Sequence, residues 1–123
     1  MLFRSEIPDD YQATFDEAVY ERQIRRIYGK AADEVLALQE RLGWYRQERV
    51  CRYRESWQEI RRLLADTPSS ARMRELTKRI GLAEDDFRAT YGEEKLADAL
   101  LYAKDLKDRY TVLWLYYDLL PLL

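Results

Sequence analysis

A chain of 123 residues, 47% of them hydrophobic, fits one domain and can bury a core of its own without a covalent staple. Its 21 basic and 23 acidic residues leave a formal charge of −2, which argues against a nucleic-acid partner because no positive excess exists to displace counterions from phosphates. Histidine is absent, removing the commonest metal ligand and the commonest acid–base residue, and the one cysteine excludes an internal disulfide and agrees with a reducing, cytoplasmic setting. Four glycines and three prolines punctuate a chain rich in Leu, Ala, Glu and Arg. That composition predicts an all-α fold, an array of about five to six helices. No signal peptide or membrane span is expected: Met1 to Arg4 is too short for either, and the longest apolar run is about half the roughly 20 residues a span needs.

Residues 1–11 read as an extended lead-in, with Pro8 and two aspartates, and the opening Met1 to Ser5 has no evident role. Residues 12–123 read as a single all-helical domain. Thr14 followed by Glu17 is a capping-box pattern. Tyr20, Ile24, Ile27, Ala31, Val35, Leu38 and Leu42 then keep one helical rhythm through Gly29. The spacing favours one long helix over about residues 14 to 42, with Gly29 a defect of roughly 1 kcal/mol, and two helices broken at Gly29 are the alternative. Gly43 is its stop. A second helix is predicted over about residues 45 to 65, with Val50, Tyr53, Trp57, Ile60 and Leu64 inward. A turn at Asp66 to Ser69 precedes a short helix capped by Ser69 or Ser70, with Met73, Leu76 and Ile80 inward and Gly81 at its end. Glu84, Asp85 and Asp86 open a fourth helix, where the helix dipole favours acids, with Phe87 and Tyr91 inward and Gly92 at its end. The last helix starts near Glu93, with Leu96, Leu100, Ala103, Leu106 and Tyr110 on one face. It is expected to break around Asp108 to Thr111, where Thr111 caps a terminal helix over Val112 to Leu120. That terminal stretch is apolar on nearly every side except at Asp118, so it must be enclosed.

Several groupings invite a functional reading. Arg46, Arg49, Arg52, Arg54, Arg61 and Arg62 crowd the second helix beside Tyr45, Tyr53 and Trp57, but the near-neutral total favours a solvated face paired with Glu48, Glu55 and Glu59. Asp85-Asp86 and Glu93-Glu94 point in diverging directions and suit helix starts better than a shared cation. Tyr102, Tyr110, Trp114, Tyr116 and Tyr117 read as core or interface before they read as a ligand pocket, with Asp105, Asp108 and Asp118 available to their polar ends. Lys104 with Asp108, and Asp105 with Arg109, are helical i,i+4 pairs. Cys51 has no histidine to activate it and is expected to be a buried, inert thiol. No catalytic machinery emerges from these residues.

Three segments carry a resemblance: Pro68-Ser69-Ser70, Ile80-Gly81-Leu82, and the run from Tyr102 to Leu113 that contains Lys107-Asp108-Arg109-Tyr110-Thr111. Together they resemble the C-terminal end of bacterial sn-glycerol-1-phosphate dehydrogenases, in the iron-containing alcohol dehydrogenase superfamily. Leu38-Gln39 through Gly43-Trp44-Tyr45, and Trp57 with Ile60-Arg61, are similar to that family's helical domain, so the resemblance covers about residues 12 to 120. It implies a two-domain enzyme that reduces dihydroxyacetone phosphate with NAD(P)H. It also implies a divalent metal (zinc, nickel or iron) held by one Asp and two His. This sequence has no Gly-rich phosphate turn and no histidine, and Pro121 stands where the family usually has Gly. No catalytic, cofactor-binding or metal residue therefore carries over, and Lys107, Asp108, Arg109, Tyr110 and Thr111 stand as structural family-motif positions. The chain reads as the helical fragment of such an oxidoreductase, inactive alone. Its missing partner would be an N-terminal nucleotide-binding domain, with a homo-oligomer as a second association and neither nucleic acid nor membrane as partner. The alternative is a free-standing helical interaction module without catalysis.

Overall fold

A computed structural model describes residues 6–123, and Met1 to Ser5 lie outside the described residues. All regular elements among the described residues are helices, seven α-helices joined by short 3-10 turns. The fold is an all-α array. None of the helices described is long and apolar enough to cross a membrane.

The favoured single long helix does not form. Helix α1 (Glu17–Tyr28) ends at Gly29, a 3-10 turn covers Gly29–Ala31, and α2 (Ala32–Leu42) follows. Gly29 sits at φ 53° and ψ −117°, a conformation a side chain resists, so the chain turns there and does not continue. Across the corner, Arg25 donates to Asp33 at 2.8 Å. Tyr20, Ile24, Ala32 and Val35 then pack into one cluster that a straight rod would have kept apart. At the turn Ala32 is buried where the unbroken rhythm predicts Ala31, while Val35 is buried as that rhythm predicts. The helix start also differs. Asp16 is the cap, its Oδ1 accepting from the Val19 N–H at 3.0 Å, and the Thr14–Glu17 capping box is not used. Gly43 closes α2, its N–H bonded to the Gln39 carbonyl.

A 3-10 turn (Trp44–Arg46) leads into α3 (Arg49–Glu55) and α4 (Trp57–Ala65), which are separated by a break at Ser56. The predicted inner stripe is in place. Val50, Tyr53 and Trp57 are buried, and Ile60 and Leu64 pack against them. Ser69 caps α5 (Ser70–Arg79) by accepting from the Arg72 N–H at 3.1 Å. Helix α6 (Glu84–Tyr102) begins with its three acids as expected, and a kink at Gly92 (φ 81°, ψ 161°) divides it. Here the inward assignment fails. Met73, Leu76, Ile80, Phe87 and Tyr91 are exposed, and neither α5 nor α6 contributes a buried residue. The other helices close their core without reaching over this hairpin.

After Tyr102 the chain passes through a 3-10 turn (Ala103–Leu106) and a non-helical link to α7 (Val112–Leu119). Because the α-helix stops at Tyr102, the expected apolar face is not continued. Leu106 and Tyr110 are exposed, while Lys104 and Asp105 turn inward; Leu100, still within α6, is exposed as well. Helix α7 is enclosed on one side, at Trp114, Leu115, Asp118 and Leu119, while Val112 and Leu120 stay exposed, so the enclosure on every side that its sequence predicts is not met within this chain. Leu115 and Leu119 pack with Val50, Tyr53, Trp57 and with Ile7 of the lead-in, which is 4% exposed. Thr111 occupies the cap position of α7, but its Oγ1 is buried without a hydrogen-bond partner.

Candidate functional site

Two buried ion pairs organise the interior. In the first, Lys104 and Asp105 have fully buried side chains and meet at 2.9 Å. The Lys104 ammonium also donates to the Leu101 carbonyl at 2.7 Å and to the Tyr45 hydroxyl at 2.8 Å, so its three N–H groups are all engaged. Asp105 accepts from the hydroxyls of Tyr20 (3.0 Å) and Tyr45 (2.7 Å), and its carbonyl accepts from the Gln39 amide at 2.9 Å. One short turn thereby ties α1, α2 and the segment after Gly43 together. The ammonium lies 3.8 Å from the centre of the Tyr117 ring and 4.7 Å from Trp114.

The second pair joins α3 to α7. Arg49 binds Asp118 through both fork positions, Nε to Oδ2 at 2.7 Å and Nη2 to Oδ1 at 2.9 Å. Its remaining nitrogen donates to the Trp44 carbonyl. Tyr53 donates to Asp118 at 2.8 Å and accepts from Tyr110 at 2.8 Å, and Tyr11 of the lead-in donates to the Asp118 carbonyl. The guanidinium lies 4.7 Å from the centre of the Trp114 ring, the same distance as Lys104. Trp114 is therefore the fully buried ring shared by both cations, and its own Nε1 has no hydrogen-bond partner among the described residues.

The electrostatics follow from this packing. Burial lowers the Lys104 pKa, opposed by the attraction of Asp105. Burial also opposes the Arg49 charge, but the hydrogen bonds and attraction of Asp118 outweigh it and leave that pKa raised. Tyr20 and Tyr45 are pushed well above the usual phenol range by burial and then by the Asp105 charge. Tyr53 is pushed up by burial, by its bond with Tyr110 and by Asp118. Burial and Asp105 raise Tyr28 to about 12.

Beside this core opens a cleft of about 510 Å³, whose walls include Tyr11, Tyr45, Arg49, Arg54, Tyr117 and Asp118. Arg54 closes the lead-in over it by donating to the carbonyls of Pro8 (3.0 Å) and Tyr11 (2.9 Å). Cys51 lines the cleft and is exposed, contrary to the buried thiol expected, because it lies on the outer side of α3 opposite Tyr53. The arginine group also departs from the solvated face expected of it. Arg49 and Arg54 turn inward, while Arg46 and Arg62 stay outside near Glu40 (3.9 Å) and Glu59 (3.7 Å). The planar fork of Arg49 suits the Asp118 carboxylate, and that pairing draws it out of the solvated face.

The i,i+4 pairs predicted after Tyr102 are not made. The α-helix has ended, so Lys104 pairs with its neighbour Asp105, and Arg109 lies 3.8 Å from its neighbour Asp108. The family-motif positions are split by environment. Lys107, Asp108 and Arg109 stand exposed on the link before α7, whereas Tyr110 reaches Tyr53 and Thr111 begins the helix. Glu93 is paired with Arg88, and Glu94 lies 3.6 Å from Arg26. The set of one Asp and two His that the resemblance implies for a metal is not supplied by these residues. The sequence has no histidine, and no three metal-ligating side chains converge among the described residues.

Fold and site together define an all-α array held by a charged, aromatic core whose two buried cations are each paired with a carboxylate of the same chain. No protein-family model, curated protein or solved structure matches it.

Proposed function

We propose that the chain is a helical association module, a rigid platform that presents the α5–α6 hairpin to a protein partner. One observation carries this reading. The chain satisfies both buried ion pairs by itself, yet on this hairpin it leaves Ile80, Leu82, Phe87 and Tyr91 each more than half exposed. A group of large apolar side chains left open along one hairpin marks an interaction site. The test is binding of an apolar-surface dye to the dilute chain, together with its sedimentation, compared with Ile80→Glu/Phe87→Glu. The wild type should bind dye or associate, and the variant should lose both while keeping its helical circular dichroism. Equal behaviour of the two proteins would refute the reading.

A second reading is supported by the Lys107 to Leu113 run. The module is then the helical part of an sn-glycerol-1-phosphate dehydrogenase-like oxidoreductase of cytoplasmic glycerophospholipid metabolism, inactive alone. The NAD(P) and the divalent metal would both be held outside these residues. The exposed Lys107, Asp108 and Arg109 would then be available to a neighbouring nucleotide-binding domain. A native gene product well above 14.8 kDa that oxidises glycerol 1-phosphate supports this, and an inactive product of 14.8 kDa refutes it.

A further inference from the structure

We propose that the pocket between α1, α2 and the turn after Gly43 binds a guanidinium group carried on a short alkyl stem. The proposal is independent of the association-module reading and uses no residue of the α5–α6 hairpin.

The pocket holds about 240 Å³, and its wall includes Phe15, Tyr20, Leu36, Gln39 and Tyr45. Three aromatic rings meet there. Phe15 stacks on Tyr45 with centroids 4.6 Å apart and planes 21° apart, and Tyr20 lies 4.4 Å from Tyr45. Tyr20 and Tyr45 commit their hydroxyls to Asp105, so they present ring and not hydroxyl to the pocket. Phe15 is 39% exposed, which leaves part of its ring open to an occupant.

The polar groups around these rings are mostly acceptors. Gln39 is 3% exposed, and its amide donates to the Asp105 carbonyl at 2.9 Å. That bond fixes the amide and leaves its Oε1 buried without a donor. A buried acceptor left open in this way is uncommon and calls for a donor. Glu17, Glu21 and Glu40 also line the pocket, against Arg46 alone. Glu21 is paired with Arg25 at 2.9 Å and Glu40 lies 3.9 Å from Arg46, whereas Glu17 makes no ion pair among the described residues.

This set suits a cation that carries N–H groups. An anion would meet three carboxylates and an open carbonyl oxygen. No three carboxylates among the described residues converge closely enough for a metal ion. A quaternary ammonium answers the charge and the rings but has nothing to donate to Gln39. A guanidinium answers all three. Its flat face lies on Phe15, its N–H groups donate to Gln39 and to a carboxylate, and its weak hydration lets it enter a half-enclosed pocket.

Isothermal titration of the full chain with n-butylguanidinium tests this, with helical circular dichroism as the folding control. One site is expected, saturating below about 10 mM. Butyltrimethylammonium, of equal charge and stem but without N–H groups, should bind the wild type at least about tenfold more weakly. Gln39→Leu should weaken butylguanidinium binding by about tenfold. Glu17→Gln/Glu40→Gln should weaken it by about fivefold, and Arg46→Gln should strengthen it by about twofold, the pair of signs that marks a cation site. Two further ligands identify the source of the group. Agmatine binding tighter than N-acetylarginine methylamide assigns a free small molecule, and the reverse order assigns a peptide side chain. No saturation by about 10 mM, or equal affinity for butyltrimethylammonium, would overturn the site. Unchanged binding by Gln39→Leu, or tighter binding by Glu17→Gln/Glu40→Gln, would overturn it as well.

Discussion

Asp118→Ala is expected to destabilise the fold by about 3–5 kcal/mol, the cost of stranding a buried charge. Alanine there removes both acceptors of the Arg49 fork and the acceptor of the Tyr53 hydroxyl. It leaves a guanidinium whose side chain is 12% exposed facing the Trp114 ring, with the Trp44 carbonyl as its remaining partner. Since a domain of this size is stable by about 5–15 kcal/mol, the variant should be close to half unfolded at the low end of that range. Urea unfolding followed by circular dichroism measures the effect as a lowered midpoint. A loss below about 1 kcal/mol would mean that Arg49 finds water or another acceptor, and the pairing of α3 with α7 would not be what holds the terminal helix.

Asp105→Ala should be comparably damaging, about 3–5 kcal/mol, for a related reason. It leaves the Lys104 ammonium fully buried with only the Tyr45 oxygen and the Leu101 carbonyl, and removes the acceptor of Tyr20 and Tyr45. The informative comparison is Lys104→Met/Asp105→Leu. Replacing a buried ion pair with apolar residues of similar size is often close to neutral, so the double variant should recover at least about half of the loss. Recovery stops short of complete because two tyrosine hydroxyls still lack a partner, at about 1–3 kcal/mol each where water cannot reach them. A double variant no more stable than Asp105→Ala would show that the damage comes from those hydroxyls and not from the stranded ammonium.

The parts of the fold legible in the sequence are those fixed by neighbours along the chain. Val50, Tyr53, Trp57, Ile60 and Leu64 keep helical spacing across the break at Ser56, so their inward face was readable. Ser69, Gly81, Gly92 and Thr111 each mark a helix boundary by local backbone chemistry. Gly29 was ambiguous because a defect within one helix and a corner between two leave almost the same apolar rhythm. The exchange of Ala31 for Ala32 as the buried residue becomes visible only once the chain turns. The charged core was hidden for a stronger reason. Arg49 and Asp118 lie 69 residues apart, and a local pattern assigns such charges to solvent until a distant partner is known. One signal did point to it: Asp118 interrupts an otherwise apolar helix, and an acid in that position needs internal donors. The hydroxyls expected there were those of Tyr102, Tyr110, Tyr116 and Tyr117, whereas the donors to its carboxylate are Arg49 and Tyr53. At Met73, Leu76 and Ile80 the amphipathic pattern showed that a face wants cover, which is different from showing that this chain supplies it.

The interior is a network of buried tyrosines around two carboxylates, and an alkaline titration of tyrosine absorbance reads whether that network holds. The folded-state pKa values of Tyr20, Tyr45, Tyr53 and Tyr117 lie above the ordinary value of 10.0 because burial opposes the phenolate. The folded chain therefore keeps protons that the unfolded chain releases. This contribution to stability is fully present below pH 10 and is lost as the pH rises through and beyond it. Lys104, with its pKa lowered from 10.5, acts in the opposite sense, but it is one group against four. The ten tyrosines should titrate in two phases, the later one steep and coincident with loss of helical circular dichroism. A single gradual phase centred near pH 10, with the helices intact, would contradict the network.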